Sequence, residues 1–186
     1  MNVGILPVGQ VPDDVLRSLS EALSKALPDT SCSIIKQPLP LLLDAFAESR
    51  GQYNSSVILS HVRAHAETQT VFDRVLGVVD VDVYASGLNF VFGEAYSPGK
   101  AALISLWRLR PSFYGEAADG EVFASRVLKE AVHELGHTLG LSHCPKPLCV
   151  MHFSNSIFDT DKKQSLFCGP DYLTASLAIT QVGEKK

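Results

Sequence analysis

The sequence lacks a long apolar run, a block of basic residues and a dense set of cysteines. Membrane-spanning helices need about 20 consecutive apolar residues, and no segment of the 186 residues approaches that length. The 16 Lys and Arg residues are scattered and are outnumbered by 20 Asp and Glu, for a net charge of −4. This argues against nucleic acid or an anionic membrane as a partner. The first residues carry no basic region and only a short apolar stretch, unlike a secretory signal, so we expect a cytoplasmic protein. We also expect a monomer.

What the sequence does contain is enough apolar surface for a core. Hydrophobic residues make up 46% of the chain and charged residues only 19%, which excludes a disordered protein. Three of the four cysteines lie within the last 43 residues, directly behind three histidines. A domain of this size needs no disulfide framework. Clustered Cys and His residues in a cytosolic protein therefore point to metal ligands.

The hydrophobic pattern predicts a single α+β, or α/β-like, domain in which strands and helices alternate along the chain. Short apolar segments bounded by Gly and Pro indicate strands, and apolar residues at helical spacing indicate helices. The predicted strands cover 2–8, 31–36, 74–84, 89–96 and 101–109. The predicted helices cover 12–27, 54–67, 121–139 and 170–179.

The most informative segment is 133–143, His-Glu-Leu-Gly-His-Thr-Leu-Gly-Leu-Ser-His. On a helix, His133 and His137 lie on one face, so both imidazoles can reach one Zn²⁺ at about 2.0–2.1 Å. Glu134 is turned about 100° from His133, where its carboxylate flanks the metal without ligating it. That is the position for a general base acting on a zinc-activated water.

A third ligand follows after a glycine. Gly140 can adopt the positive φ that ends a helix, which lets the chain double back and bring His143 to the same ion. Three neutral histidines and an open position are typical of a catalytic zinc site. In a chain of this composition the full pattern H-E-x-x-H-x-x-G-x-x-H has a chance frequency of roughly 10⁻⁵.

The segment behind the histidines carries a family resemblance. The residue directly after His143 is Cys144, and Cys149 and Met151 come shortly after it. A gap of sixteen residues then separates Met151 from Cys168. Together with the histidine motif, this spacing resembles the archaemetzincin family of metzincin metallopeptidases. The segments at 74–84 and 89–93 are also similar to that family, so the resemblance covers most of the chain.

The resemblance implies a mixed, mostly parallel sheet of about five strands with an active-site helix, within one catalytic domain spanning 1–186. An N-terminal part, 1–140, would end in that helix, and a small C-terminal part, 141–186, would carry the cysteines. It also implies two zinc ions. His133, His137 and His143 would hold the catalytic ion, and the cysteines would hold a structural one. Met151 would form an apolar floor beneath the histidines.

The fourth ligand of the cysteine site departs from the family pattern. Asp171 stands where the family has its last cysteine. An Asp carboxylate ligates zinc at about 2.0–2.2 Å, so Cys144, Cys149, Cys168 and Asp171 form a reasonable set. Alternatively Asp171 is solvated and another residue, such as His152, or water completes the tetrahedron. The three thiols could also be free and buried.

Charged pairs and an edge strand are the next candidates. Asp80 and Asp82 share one strand face, as do Arg108 and Arg110 on another predicted strand, so we expect ion pairs between sheet neighbours. In metzincins a strand beside the active-site helix binds extended peptide by strand addition, and 89–96 is the candidate for that strand. Its alternative is an interior strand.

Three further residues receive structural interpretations. His61 and His65 are four apart on a predicted helix, but no glutamate or third ligand accompanies them, which favours an ordinary surface pair. Cys32 lies far from the other cysteines in a strand-like segment and is interpreted as a core thiol.

These residues predict a zinc metallopeptidase that acts on a peptide or protein substrate with Glu134 as general base. Two alternatives stay open. The first is a non-catalytic zinc-binding protein, and the second is a zinc hydrolase of a non-peptide amide, because water activation does not specify a peptide bond.

Overall fold

Two sheets form the framework of the computed structural model, which describes residues 1–184. The strands are β1 (Asn2–Val8), β2 (Ser31–Ile34), β3 (Phe46–Ala47), β4 (Gln52–Asn54), β5 (Arg74–Val79), β6 (Val83–Tyr84), β7 (Gly93–Ala95) and β8 (Ala101–Ser105). The larger sheet has the order β2-β1-β5-β8-β7 and is parallel except for β7, which runs antiparallel to β8. The smaller sheet has the order β3-β4-β6. The predicted mixed, mostly parallel sheet of about five strands is confirmed.

Helices cover both faces of the larger sheet. They are α1 (Asp13–Ala26), α2 (Ser55–Thr68), α3 (Gly120–Thr138), α4 (Ile157–Lys162) and α5 (Gly169–Glu184). One core cluster joins α1, α3 and α5 to one face, and a second joins α2 to the other. Because side chains alternate along a strand, β1 supplies both cores, with Val3 and Ile5 on one side and Leu6 and Val8 on the other.

The strands are shorter than the sequence predicts. The predicted strand 74–84 is two strands, because Asp80 leaves the sheet after Val79 to pair with Arg110. The predicted strand 101–109 ends at Ser105, whose hydroxyl accepts a hydrogen bond from the Trp107 amide and opens a short 3-10 helix, Trp107–Leu109. The predicted strand 89–96 reduces to Gly93–Ala95.

The four predicted helices are confirmed to within a few residues at most ends, although α5 extends five residues further than predicted. The sequence interpretation missed α4 and the small sheet, whose elements are too short to produce a periodic pattern. No helix within residues 1–184 is long and apolar enough to cross a membrane. Residues 185–186 of the expected C-terminal part lie outside the described residues.

Strand β7 positions the functional site. It is an edge strand of the larger sheet, and within the described residues its only strand partner is β8. Strand β7 contacts α3, which carries the histidine motif, and both elements line the same cleft. The predicted edge position of this segment is therefore confirmed.

Candidate active site

Helix α3 is fixed at both ends by its own sequence. Asp119 caps the first turn, accepting hydrogen bonds from two backbone amides of that turn at 2.9 and 3.0 Å. At the other end Gly140 has a φ of 91°, and the Leu141 amide donates to the Gly136 carbonyl at 3.1 Å. The Gly140 amide donates to the His137 carbonyl at 2.9 Å, which completes a Schellman motif. The chain turns back as predicted and brings His143 beside the helix.

Three imidazoles converge at this turn. The metal-ligating atoms of His133, His137 and His143 all lie within 4.8 Å of one another. The Nε2 atoms of His133 and His137 are 3.1 Å apart. Two nitrogen ligands of a tetrahedral zinc are about 3.3 Å apart when each Zn–N bond is about 2.0–2.1 Å. The spacing of the three side chains is that of a ligand set.

Backbone carbonyls orient two of the rings. The Nδ1 atom of His133 is 2.8 Å from the Val150 carbonyl oxygen, and that of His137 is 2.8 Å from the Leu141 carbonyl oxygen. Carbonyls can only accept, so each Nδ1 carries the proton and each Nε2 keeps its lone pair. Two lone pairs facing each other at 3.1 Å repel unless a cation lies between them. The donor set therefore fits a divalent metal.

Loss of solvation favours the neutral form of the histidines. Burial lowers the pKa of His133 well below the ordinary value, and partial burial lowers the pKa of His137 and of His143, which is the most exposed of the three. The positive charge of Lys163 lowers all three pKa values further. Neutral imidazole is the form that ligates a metal.

Glu134 is buried between the helix and the edge strand. Burial raises the pKa of its carboxyl well above the ordinary value, and the neighbouring Glu130 raises it further. Gly93 of β7 packs directly against it, because a Cβ there would lie 2.6 Å from Glu134 Cγ and 2.7 Å from its Oε1. The same Cβ would lie 2.7 Å from the Leu103 carbonyl oxygen. Glycine at this position makes room for the Glu134 carboxylate in the cleft.

A buried lysine borders the same cleft and was missed by the sequence interpretation. The side chain of Lys163 is fully buried, and its Nζ lies 3.0 Å from Glu130 Oε1. Thr160 donates a second hydrogen bond to that oxygen at 3.0 Å. Glu130 lies one helical turn before Glu134, so the pair places a cation close to the histidines. The sequence shows that Glu130 and Glu134 are four residues apart on the predicted helix. This spacing does not indicate that Lys163 pairs with Glu130.

The chain beyond the histidines forms the floor of the site. Met151 is fully buried, and its Sδ would lie 2.5 Å from a Cβ on Gly136. The glycine inside the histidine motif therefore lets the methionine approach the helix. Phe153 borders the metal-ligand set, with its ring 4.9 Å from that of His143. A cleft of about 440 Å³ opens above this floor, between α3, residues 153–155 and β7 with the residues before it.

The second predicted ligand set is also assembled. The ligand atoms of Cys144, Cys149, Cys168 and Asp171 lie within 4.8 Å of one another. Asp171 Oδ2 accepts from the thiols of Cys149 and Cys168 at 3.0 and 3.2 Å. The sulfurs of Cys144 and Cys168 are 3.8 Å apart, well beyond a disulfide bond. Within the described residues His152 does not belong to this group, and its Nδ1 instead contacts the Cys144 carbonyl at 2.9 Å.

The chemistry of this cluster suits a cation. Burial, together with the hydrogen bond to the Asp171 carboxylate, raises the pKa of Cys149 to about 12. For Asp171, burial raises the pKa, but hydrogen bonds from the thiols outweigh that effect and the net shift is downward. Burial without a cation disfavours the charged thiolate form of these cysteines. A divalent cation bound among them would favour that form, since a coordinating thiol is deprotonated outright.

Other sequence candidates have structural roles. Arg108 and Arg110 form bidentate ion pairs with Asp82 and Asp80, as expected, although they lie in and just after a 3-10 helix and not on a strand. His61 lies 3.6 Å from Asp44 on the surface, and neither it nor His65 belongs to a ligand set in the described part of the chain. Cys32 is half-buried against the main core.

Comparisons with known proteins identify the family of the chain. Residues 38–172 match the family described as Peptidase family M54. The archaemetzincin of Methanocaldococcus jannaschii is 48% identical over 90% of this chain and 89% of its own length. The crystal structure of archaemetzincin from Methanopyrus kandleri has a TM-score of 0.83 and 34% identity, covering 97% of this chain and 96% of that one. A zinc-dependent peptidase from Methanocorpusculum labreanum also has a TM-score of 0.83, at 29% identity, covering 93% and 99%.

The fold, the histidine motif and these relatives define a zinc metallopeptidase. Within that class the chain belongs to the archaemetzincin family.

Proposed function

We propose that the chain hydrolyses peptide bonds at the histidine cluster, with Glu134 as general base. The observation that carries the proposal is the convergence of three imidazoles beside a buried carboxylate under a free sheet edge. His133 and His137 would hold a zinc ion through their Nε2 atoms, with His143 as the third ligand. When bound, that ion supplies a Lewis acid that polarises the scissile carbonyl and lowers the pKa of water toward 7.

The remaining steps belong to the protein. Glu134 accepts a proton from the attacking water and passes it to the leaving amine. Gly93 keeps the Glu134 carboxylate at the edge of the cleft, because any larger residue would displace it. The Val150 and Leu141 carbonyls hold two imidazoles in one tautomer, so their Nε2 atoms stay directed at the ion.

Strand addition supplies the substrate geometry. The side of β7 away from β8 faces the cleft and has no strand partner within residues 1–184. An extended peptide that pairs with this edge lies across the histidines with its backbone amides satisfied. This favours a peptide over a small amide, which makes no such ladder.

The cysteine cluster holds a second, structural zinc in this proposal. Four protein ligands close a tetrahedral site and leave no open position. Cys144, Cys149, Cys168 and Asp171 bring the turn after His143 together with the start of α5, so the ion would stabilise a C-terminal subdomain over 141–186 within a single catalytic domain. Thiolate ligands need a reducing compartment, which supports a cytoplasmic location.

Replacing the general base tests the mechanism. Glu134→Ala should retain both zinc ions and the folded state while losing peptide hydrolysis. Zinc content by elemental analysis and cleavage of a peptide library measure the two properties in parallel. Full hydrolysis by Glu134→Ala would disprove the role assigned to Glu134.

The same measurements separate the alternatives. One zinc per chain, lost only on thiol modification, would indicate a non-catalytic zinc-binding protein. Two zinc ions with hydrolysis of small amides but of no peptide would indicate a non-peptide hydrolase. The free edge of β7 favours the peptidase over both.

A further inference from the structure

The residues that precede β7 form one wall of the cleft. Residues 88–92, here called the cleft wall, all line it, yet none of them belongs to a strand or helix. Loops without regular structure are normally mobile, since few backbone hydrogen bonds restrain them. What holds the cleft wall therefore bears on how the cleft selects its substrate.

An ion pair lies behind the wall. Arg108 donates two hydrogen bonds to the carboxylate of Asp82, at 2.6 and 2.7 Å. Both side chains are mostly buried, with 21% and 16% of their surfaces exposed. Bidentate geometry of this kind fixes direction as well as distance.

The pair is connected to the wall through Gln52. The Gln52 side-chain amide donates to Asp82 Oδ2 at 3.1 Å and also to the Asn89 carbonyl at 3.1 Å. Arg50 donates to the Gln52 amide oxygen at 3.0 Å, and to the Asn89 and Leu88 carbonyls at 2.9 and 3.3 Å. Two consecutive wall carbonyls are thus bound by side chains anchored to Asp82.

Arg108 also contacts the wall directly. Its guanidinium lies over two rings, 4.5 Å from the centroid of Phe90 and 4.8 Å from that of Phe113. Phe90 meets Phe92 edge-on, with centroids 5.2 Å apart. Stacking on a planar guanidinium fixes the face that Phe90 turns toward the cleft. Beside it Leu88 is 47% exposed, so the surface offered to substrate is apolar.

The neighbouring ion pair provides a built-in comparison. Arg110 binds Asp80 with the same bidentate geometry, both bonds measuring 2.6 Å, and with similar exposure of the two side chains. Its guanidinium lies over Phe123 of α3, and neither Arg110 nor Asp80 lines the cleft. The two pairs thus have similar geometry and differ mainly in their neighbours. The Asp82–Arg108 pair contacts the cleft wall, whereas Arg110 contacts Phe123 of α3.

We propose that Asp82 and Arg108 are positioning residues that hold the cleft wall and thereby select an apolar or aromatic side chain in the substrate. The specificity part of this proposal rests on the proposed peptidase function. The positioning part does not, because it concerns the folded protein alone.

Arg108→Lys and Arg110→Lys form the matched test. Lysine keeps the charge but loses the bidentate fork and the planar stacking surface. Gln52→Ala is a milder variant that removes the hydrogen bonds joining Asp82 to Asn89 and leaves the ion pair and the Arg50 contact with Asn89 in place. Thermal unfolding shows whether each variant folds. If Arg108→Lys does not fold, Gln52→Ala still tests the positioning role.

Two readouts separate positioning from specificity. Hydrogen exchange on the zinc-loaded protein follows the amides of the wall, among which Val91 donates to the Val83 carbonyl at 3.1 Å. Cleavage of peptide libraries with one randomised position at a time reports side-chain preference. For Arg108→Lys we expect faster exchange confined to the wall and loss of the apolar preference at one substrate position. The corresponding loss in kcat/KM should be about tenfold, carried mainly by KM.

Arg110→Lys should match the wild-type protein in wall exchange and in side-chain preference. Wall exchange in Arg108→Lys and Gln52→Ala equal to that in Arg110→Lys would overturn the positioning role. Faster exchange with an unchanged preference profile would overturn the specificity role. A wild-type protein that cleaves no peptide would refute the proposed function instead, and the exchange data would still decide what holds the wall.

Discussion

Strands β1, β5 and β8 bury nearly every residue they contain, whereas the chain after α3 leaves many of its apolar side chains in solvent. Half of the exposed large apolar side chains in residues 1–184 lie between 148 and 177. That C-terminal segment instead holds the cysteine cluster, the buried Lys163 and the ion pair of Arg126 with Asp161.

The comparison separates two ways of stabilising a fold. The parallel sheet is stabilised by burial of apolar surface, which depends on many residues and tolerates the loss of any one of them better. The C-terminal segment contains the proposed zinc ligands and buried charges, so we expect single substitutions there to have large effects. The histidine site lies where the two regions meet, with its helix in one and its floor in the other.

Removing one cysteine ligand should have the largest effect on folding. Cys149→Ser leaves the proposed zinc cluster incomplete, and we expect a loss of more than about 5 kcal/mol in the free energy of unfolding, because binding of a structural zinc is coupled to folding. His143→Ala is the control, since His143 is exposed and its loss should abolish hydrolysis while changing stability by about 1 kcal/mol or less. Chemical denaturation measures both, and equal destabilisation by the two variants would contradict the division into structural and catalytic sites.

Breaking the buried ion pair should come next. Lys163→Met leaves Glu130 buried without its cationic partner, which typically costs about 3–5 kcal/mol. The double variant Lys163→Met with Glu130→Leu removes the stranded charge and should recover much of that loss. Urea unfolding of the two proteins measures the difference. Equal instability of the single and double variants would mean that packing, and not the charge pair, accounts for the effect.

A methyl group on the edge strand should act on catalysis more than on folding. In Gly93→Ala the new Cβ must displace the Glu134 side chain or the strand, and we expect kcat to fall by about 100-fold. Gly120→Ala is the control, because no atom lies within 4 Å of a Cβ at that position. Steady-state kinetics together with thermal unfolding separate misplacement of Glu134 from loss of structure. Normal turnover by Gly93→Ala would show that Gly93 is not needed to place the Glu134 carboxylate.

Completing the cysteine set should have the smallest effect. Asp171→Cys gives the cluster four cysteines and should tighten zinc binding there by about tenfold or more, because thiolate is the softer ligand. Hydrolysis should be unchanged, since the histidine site keeps all its ligands. Competition with a metal chelator measures the affinity. An unchanged affinity would indicate that Asp171 does not ligate the ion.

The local part of the site was predictable from the sequence, and the reason is geometric. His133, Glu134 and His137 lie on one helical turn, and Gly140 needs only its own conformation to bring His143 back. The helices and the parallel strands followed from hydrophobic spacing for the same reason. Short-range patterns determine short-range geometry.

The parts that were missed depend on contacts between distant segments. Gly93 meets Glu134 across the edge of the sheet, and Lys163 meets Glu130 across thirty-three positions of chain. No periodic pattern carries that information. The strand that ends at Val79 was extended too far because Asp80 alternates with valines in the sequence, although in the structure it leaves the sheet for Arg110.

Zinc titration into metal-free protein tests the assignment of two separate zinc sites, with thermal stability and peptide hydrolysis followed together. We expect two equivalents with two separate responses. The tighter equivalent, at the closed cysteine site, should restore stability, and the second, at the histidine site, should restore hydrolysis. A single equivalent that restores both properties, or a fully loaded protein without hydrolysis, would contradict it.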